Sequence, residues 1–163
     1  MMKWISTTVV LLFIGSILSA QKQVPDVFLK TLKKQDVSLH KELKNADYTV
    51  LSFWATWCAP CKRELNTISE VYEDWQKDYK MQLIAVTIDD QRMLPKVPGI
   101  VSSNWWDYRV LADENSALRN ALNVTAIPRT MIVDKNGTIV YDHNGYKPGD
   151  EVELEDKLKA LNQ

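Results

Sequence analysis

Residues 53–64 read FWATWCAPCKRE. They hold both cysteines of a 163-residue chain, Cys58 and Cys61, with only Ala59 and Pro60 between them. A bridge closing so small a loop removes little entropy from the unfolded chain, so a structural staple is a poor explanation for the pair. The pair also falls where the hydrophobic period changes. Upstream, YTVLSFW (48–54) is a nearly continuous apolar run, the mark of a strand buried on both faces. From Pro60 onward Cys61, Leu65, Ile68, Tyr72, Trp75 and Tyr79 recur every three or four residues, which is one face of a helix. Lys62, Arg63, Glu73, Asp74 and Lys77 lie elsewhere on that helix. Cys58 therefore stands at a helix start, where unpaired amide N–H groups and the positive end of the dipole stabilise a thiolate. Pro60 suits a first helical turn, where it forfeits no hydrogen bond. Cys61 sits a turn inward and is expected to be the more buried. The reading makes Cys58 the attacking thiol and Cys61 the resolving one.

Working outward, MQLIAVTI (81–88) is a second buried-strand run, so strand, helix and strand form a right-handed βαβ unit with parallel strands. Before it, VFLKTL (27–32) and DVSL (36–39) flank KKQ as a short hairpin. After it, Pro95 and Pro98-Gly99 interrupt any helix across 89–109. RVLAD reads as a short extended piece and NSALRNAL (115–122) as a helix. RTMIV and TIVYD are strands around the turn DKNG. A last helix spans GDEVELEDKLKALN, with Leu154, Leu158 and Leu161 on one face. The class is α/β, with a mixed sheet that is parallel in the middle and antiparallel at one side.

The first 20 residues, MMKWISTTVVLLFIGSILSA, carry one charge, Lys3, then an uncharged run of 17 residues ending in Ser19-Ala20. A basic start, a short apolar middle and small residues at the end describe a secretory signal peptide cleaved after Ala20. The alternative is an uncleaved membrane anchor, for which the run is at the short limit. No cysteine follows the apolar run, against a lipoprotein. The expected organisation is a signal peptide, 1–20, and one domain, 21–163, in an exported protein of the periplasm or cell envelope. Without Lys3, 19 of the 20 Lys and Arg face 21 Asp and Glu, so the charge moves from −1 to −2. That balance argues against a nucleic-acid partner. Export implies an oxidising compartment.

SFWATWCAPCK resembles the active site of the thioredoxin superfamily. A signal peptide followed by WCAPCKRE is more similar to the TlpA/ResA-like thiol-disulfide oxidoreductases of the bacterial envelope, over about Val24 to Leu161. The resemblance implies a thioredoxin-like three-layer fold with an N-terminal β-hairpin extension. It extends to AIPRTMIVDKNG, which matches the family's stretch around a cis-proline. It implies that Pro128 follows a cis bond and faces the cysteines, and that the backbone of Ile127 pairs with substrate. Trp57, Ala59, Pro60, Ile127 and Pro128 form the implied substrate face. Thioredoxin carries a buried Asp six residues before its first active-site cysteine; Ser52 stands there in this chain. The TlpA/ResA type takes an acidic residue from the end of the next strand, where AVTIDD offers Asp89 and Asp90. The alignment favours Asp90 for proton handling, with Asp89 in reserve, against a helix cap or solvated loop for both. By the same resemblance the partners are proteins with disulfides or thiols, apocytochrome c among them, and a membrane electron donor. No cofactor or metal is expected.

Other readings compete. A CxxC is half a zinc site, but His40 and His143 are remote in sequence, and both read as ordinary surface or core residues. Trp54 reads as core, and Trp105-Trp106 as packing against the sheet rather than as a partner platform. A peroxiredoxin-like peroxidase needs Thr or Ser three residues before its cysteine, where this chain has Ala55. A thiol oxidase or isomerase uses the same pair, and a non-catalytic binding module would not need it. The Ala-Pro spacer has no charged group to stabilise the thiolate further, which favours a reductase over an oxidant.

Overall fold

The structure, a computed structural model, describes residues 22–163, so the expected leader lies outside the described residues. The chain runs β1 (Phe28–Thr31), β2 (Asp36–Ser38), α1 (Leu39–Leu43), β3 (Tyr48–Trp54), α2 (Ala59–Tyr79) and β4 (Met81–Thr87). A 3-10 turn, Leu94–Lys96, leads into α3 (Val97–Ser103), followed by β5 (Arg109–Ala112) and α4 (Ala117–Ala121). The hairpin β6 (Arg129–Asp134) and β7 (Ile139–Asn144) and the helix α5 (Asp150–Leu161) complete it. The seven strands form one sheet in the order β2-β1-β5-β4-β3-β6-β7. β3, β4 and β5 are parallel, and β6, β7, β1 and β2 flank them antiparallel.

The apolar runs are continuous because the sheet is covered on both faces. Val50 and Trp54 of β3, with Leu83 and Ala85 of β4, pack against Leu65, Ile68 and Trp75 of α2 and Leu154 and Leu158 of α5. The alternate residues Leu51, Phe53, Ile84 and Val86 pack on the other side with Leu39 and Leu43 of α1, Leu118 of α4 and Leu122 just after it. This is the expected α/β three-layer arrangement, with the N-terminal hairpin attached through β1 to β5. All six stripe residues of α2 are buried.

Two local expectations are corrected. The prolines of 95–98 do not prevent helix. Pro95 and Pro98 occupy the first turns of the 3-10 piece and of α3, where no amide partner is lost. The strand DVSL stops at Ser38 because the Ser38 hydroxyl accepts the Lys41 amide at 3.2 Å and caps α1, a helix the sequence reading did not contain.

Parallel pairing brings the functional loops to one edge. Trp54 lies opposite Thr87, so the loop to α2 and the loop after β4 leave side by side. Phe53 lies opposite Arg129, so the antiparallel β6 begins at that same edge, with Pro128 just outside it.

Candidate active site

Cys58 and Cys61 form a disulfide with an S–S distance of 2.01 Å and a Cα–Cα distance of 5.4 Å. Cys58 is the N-cap of α2, and its sulfur accepts the Cys61 amide at 3.3 Å. A sulfur therefore occupies the place that a Ser or Asp oxygen takes at ordinary helix starts, facing the unpaired amides and the positive end of a 21-residue helix. Cys61 is wholly buried and Cys58 is 5 % exposed, while Trp57 beside them is 63 % exposed. Ala59 is exposed and Pro60 half-buried in the first turn of α2. Across the edge, the Ile127–Pro128 bond is cis, with Pro128 buried and Ile127 half-buried. The Pro128 carbonyl accepts the Gly145 amide at 2.8 Å, tying the start of β6 to the end of the hairpin.

The loop before Cys58 is held by Asp89. Its carboxylate accepts the Thr56 amide at 2.8 Å, the Thr56 hydroxyl at 2.8 Å and the Thr87 hydroxyl at 2.6 Å. Asp89, Thr56 and Thr87 are all buried, so these bonds replace water that none of them can reach. Lys62 adds a bond from its Nζ to the Thr56 carbonyl at 3.0 Å. Asp89 thus fastens the end of β4 to the segment that presents Cys58.

Asp90 does not supply the expected proton acceptor, and that assignment is corrected. It is exposed and ion-paired with Arg92 at 2.8 Å, and its other oxygen caps the Arg92 and Met93 amides. The hydrogen bond from Arg92 holds its carboxyl below the usual range. It acts as the cap of a surface turn.

A second carboxylate, Glu64, stands three residues after Cys61 and so on the same face of α2. It is buried, accepting the Ser52 hydroxyl at 3.1 Å and the Thr130 hydroxyl at 2.7 Å. Burial pushes its pKa up to about 7, against the opposing pull of the two hydroxyls. Ser52 shares the α2 side of β3 with Val50 and Trp54, which is why it meets the helix. The carboxyl comes from α2 and reaches the strand position where thioredoxin has its acid. The signal for it was present: position 64 falls within the stripe that runs from Cys61 to Leu65 and Ile68, so a charged residue there must be buried.

The tryptophans divide. Trp54 is wholly buried and meets Trp106 edge-to-face, with ring centroids 5.0 Å apart. Trp106 also donates its indole N–H to Asn66 at 2.7 Å. Trp105 is 88 % exposed, so the pair does not pack on the sheet as a unit.

Two outcomes are expected. Asp89→Asn turns a donor toward groups that themselves donate, and should lower stability by about 1–3 kcal/mol. Urea unfolding measures this, with faster hydrogen exchange at the Thr56 amide; unchanged values in both would show that the three bonds do not hold the loop. For Glu64, a folded pKa of about 7 against 4.5 unfolded means that the native state holds the proton more tightly. Its stabilising contribution is then full below about pH 4.5 and lost as pH rises through about 7, roughly 2–4 kcal/mol in all. Glu64→Gln should remove that slope, as read from urea midpoints against pH; parallel curves for the two proteins would contradict it.

The Redoxin family profile matches residues 19–158. The thiol-disulfide oxidoreductase ResA of Geobacillus kaustophilus is 28 % identical over 133 residues, 79 % of this chain and 71 % of that protein. The sporulation thiol-disulfide oxidoreductase A of Bacillus subtilis is 28 % identical over 131 residues, 78 % of this chain and 77 % of that one. Among solved structures, a thioredoxin-like protein from Porphyromonas gingivalis superposes with a TM-score of 0.74 at 43 % identity, covering 85 % of this chain and 91 % of the other. With its cysteine pair at the start of α2 in a thioredoxin-like fold, the chain belongs to the Redoxin family, as a ResA-like thiol-disulfide oxidoreductase.

Proposed function

We propose that this oxidoreductase is an exported reductase of envelope protein disulfides, with Cys58 as nucleophile. The observation that carries the reading is the Cys58 sulfur at the N-cap of α2, accepting the Cys61 amide, with the more deeply buried Cys61 behind it. In the reduced protein the Cys58 thiolate attacks one sulfur of a substrate disulfide. A Cys58–substrate disulfide forms and the other substrate sulfur leaves as a thiolate. Cys61 gives its proton to Glu64, and its thiolate attacks the Cys58 sulfur. The Cys58–Cys61 disulfide forms and the second substrate sulfur leaves, so two electrons have passed to the substrate. A dithiol donor at the membrane returns the pair to the reduced state.

A carboxyl with a pKa of about 7 suits this proton transfer, because an acceptor works best when its pKa is near the operating pH. Trp57, Ala59 and Pro60 form one side of the substrate face and Ile127 and Pro128 the other, with the Ile127 backbone pairing with the bound polypeptide. The reductase direction is supported by the Ala59-Pro60 spacer, which carries no charge. Substrates are envelope proteins, apocytochrome c among them, and the leader at 1–20 delivers the domain to that compartment.

Cys61→Ser incubated with insulin should accumulate a covalent adduct through Cys58, visible on non-reducing electrophoresis. Cys58→Ser should form none and lose dithiothreitol-driven insulin reduction. An adduct through Cys61 alone would reverse the two roles. Equilibration with glutathione should place the reduction potential nearer the roughly −270 mV of thioredoxin than the roughly −120 mV of a strong oxidant. A value at the oxidant's end would make the protein a thiol oxidase.

A further inference from the structure

A cleft of about 10 Å³ opens between α2, the β6–β7 hairpin and the start of α5. Its lining includes Glu64, Thr130, Tyr141, His143, Asp150 and Glu151, and none of the residues of the proposed substrate face. The volume is about that of one water, and the polar groups around it are enough to hold one. Strand register explains the gathering. Thr130, which donates to Glu64, lies directly opposite His143, and Ile132 lies opposite Tyr141. With a period of two, His143 and Tyr141 share the face that Ile132 turns toward α2. Their rings are parallel, with centroids 6.2 Å apart. The His143 Nε2 is 3.2 Å from an Asp150 oxygen that also accepts the Lys147 amide at 2.8 Å.

We propose that His143 is a positioning residue for Glu64 across this cleft, steadying the Glu64 anion and giving its proton a way out. The proposal rests on Glu64 as the proton acceptor of Cys61. The proton moves from the Cys61 thiol to a Glu64 oxygen and then, through a water in the cleft, to solvent beside His143. Such a side exit matters most in the mixed disulfide, when a docked substrate covers the Trp57–Pro128 face. No Lys or Arg lines the cleft, so an imidazolium at position 143 is the one cation among its lining residues. Asp150 on α5 holds His143, Glu151 on α5 accepts the Tyr146 hydroxyl at 3.2 Å, and Glu153 accepts the Tyr141 hydroxyl at 3.2 Å. The His143 charge favours the Glu64 anion and the Asp150 charge opposes it. Because Asp150 also binds His143, it ties the imidazole to the site at which its charge counts.

The test is carbon-13 NMR of the full chain in its oxidised form, where no thiol titrates. The Glu64 carboxyl signal is assigned by its loss in Glu64→Gln. In His143→Gln the Glu64 midpoint should rise by at least about 0.5 unit, since the stabilising cation is gone. His143→Lys, which keeps a positive charge at that position, should raise the Glu64 midpoint less than His143→Gln does. Should His143→Gln fail to fold, His143→Asn serves as the neutral replacement. An unchanged Glu64 midpoint in the neutral replacement overturns the proposal. Insulin reduction by Glu64→Gln separately tests the acceptor role: wild-type rates there would refute that role, while the titrations report the pairing whether or not exchange depends on it.

Discussion

The backbone of β3 is bonded along both sides, to β4 over Tyr48–Trp54 and to β6 over Tyr48–Phe53, and this double pairing decides where every group of the site stands. A slip of one residue would turn Ser52 to the α1 side and Leu51 or Phe53 toward α2, leaving Glu64 without the Ser52 hydroxyl. The same register fixes the edge from which the cysteine loop, the Asp89 turn and Pro128 all emerge. A strand held on both sides cannot fray there, so the chemistry sits on a rigid base while the residues that meet solvent, Trp57 and Ala59, belong to the turn above it.

The two acids of the site show how burial assigns different work to the same functional group. Asp89 is surrounded by donors and serves as an anchor. Glu64 has two hydroxyls and little else, so burial dominates and its proton is held until near neutrality. Asp90, one residue beyond Asp89, is in solvent with Arg92. One step along the loop after β4 separates the neighbours completely, and the alignment that favours Asp90 in AVTIDD carries no information about which of the two is buried.

Much of the fold was legible because its signals are periodic. The stripe on α2, the two buried-strand runs and the DKNG turn each repeat or punctuate the chain in a way that packing then enforces. The short pieces were less legible: α1 has five residues and depends on the Ser38 cap and the burial of Leu39 and Leu43 rather than on any repeat. At the site, the cysteines could be read from local sequence, and the cis-proline only from the family resemblance. Glu64 was hidden because its partners, Ser52 and Thr130, are 12 and 66 residues away, and only the three-dimensional contact gives a carboxyl in an apolar stripe its meaning. His143 was read as an unremarkable residue for the same reason, since its neighbour across the hairpin is what brings it toward Glu64.

The outer strands have a consequence for a protein that handles other chains. Any sheet margin is a template on which a loosely folded polypeptide can be recruited as one more strand. Here one margin is β2, only three residues long. The other is β7, whose ladder to β6 shifts between Ile132 and Val133 and whose Asp142 is clasped by Arg129 at 2.6 Å. A short border and an irregular, charged one both discourage indefinite growth of the sheet. Margins of this kind resist the addition of further strands, so the sheet is a poor seed for aggregation.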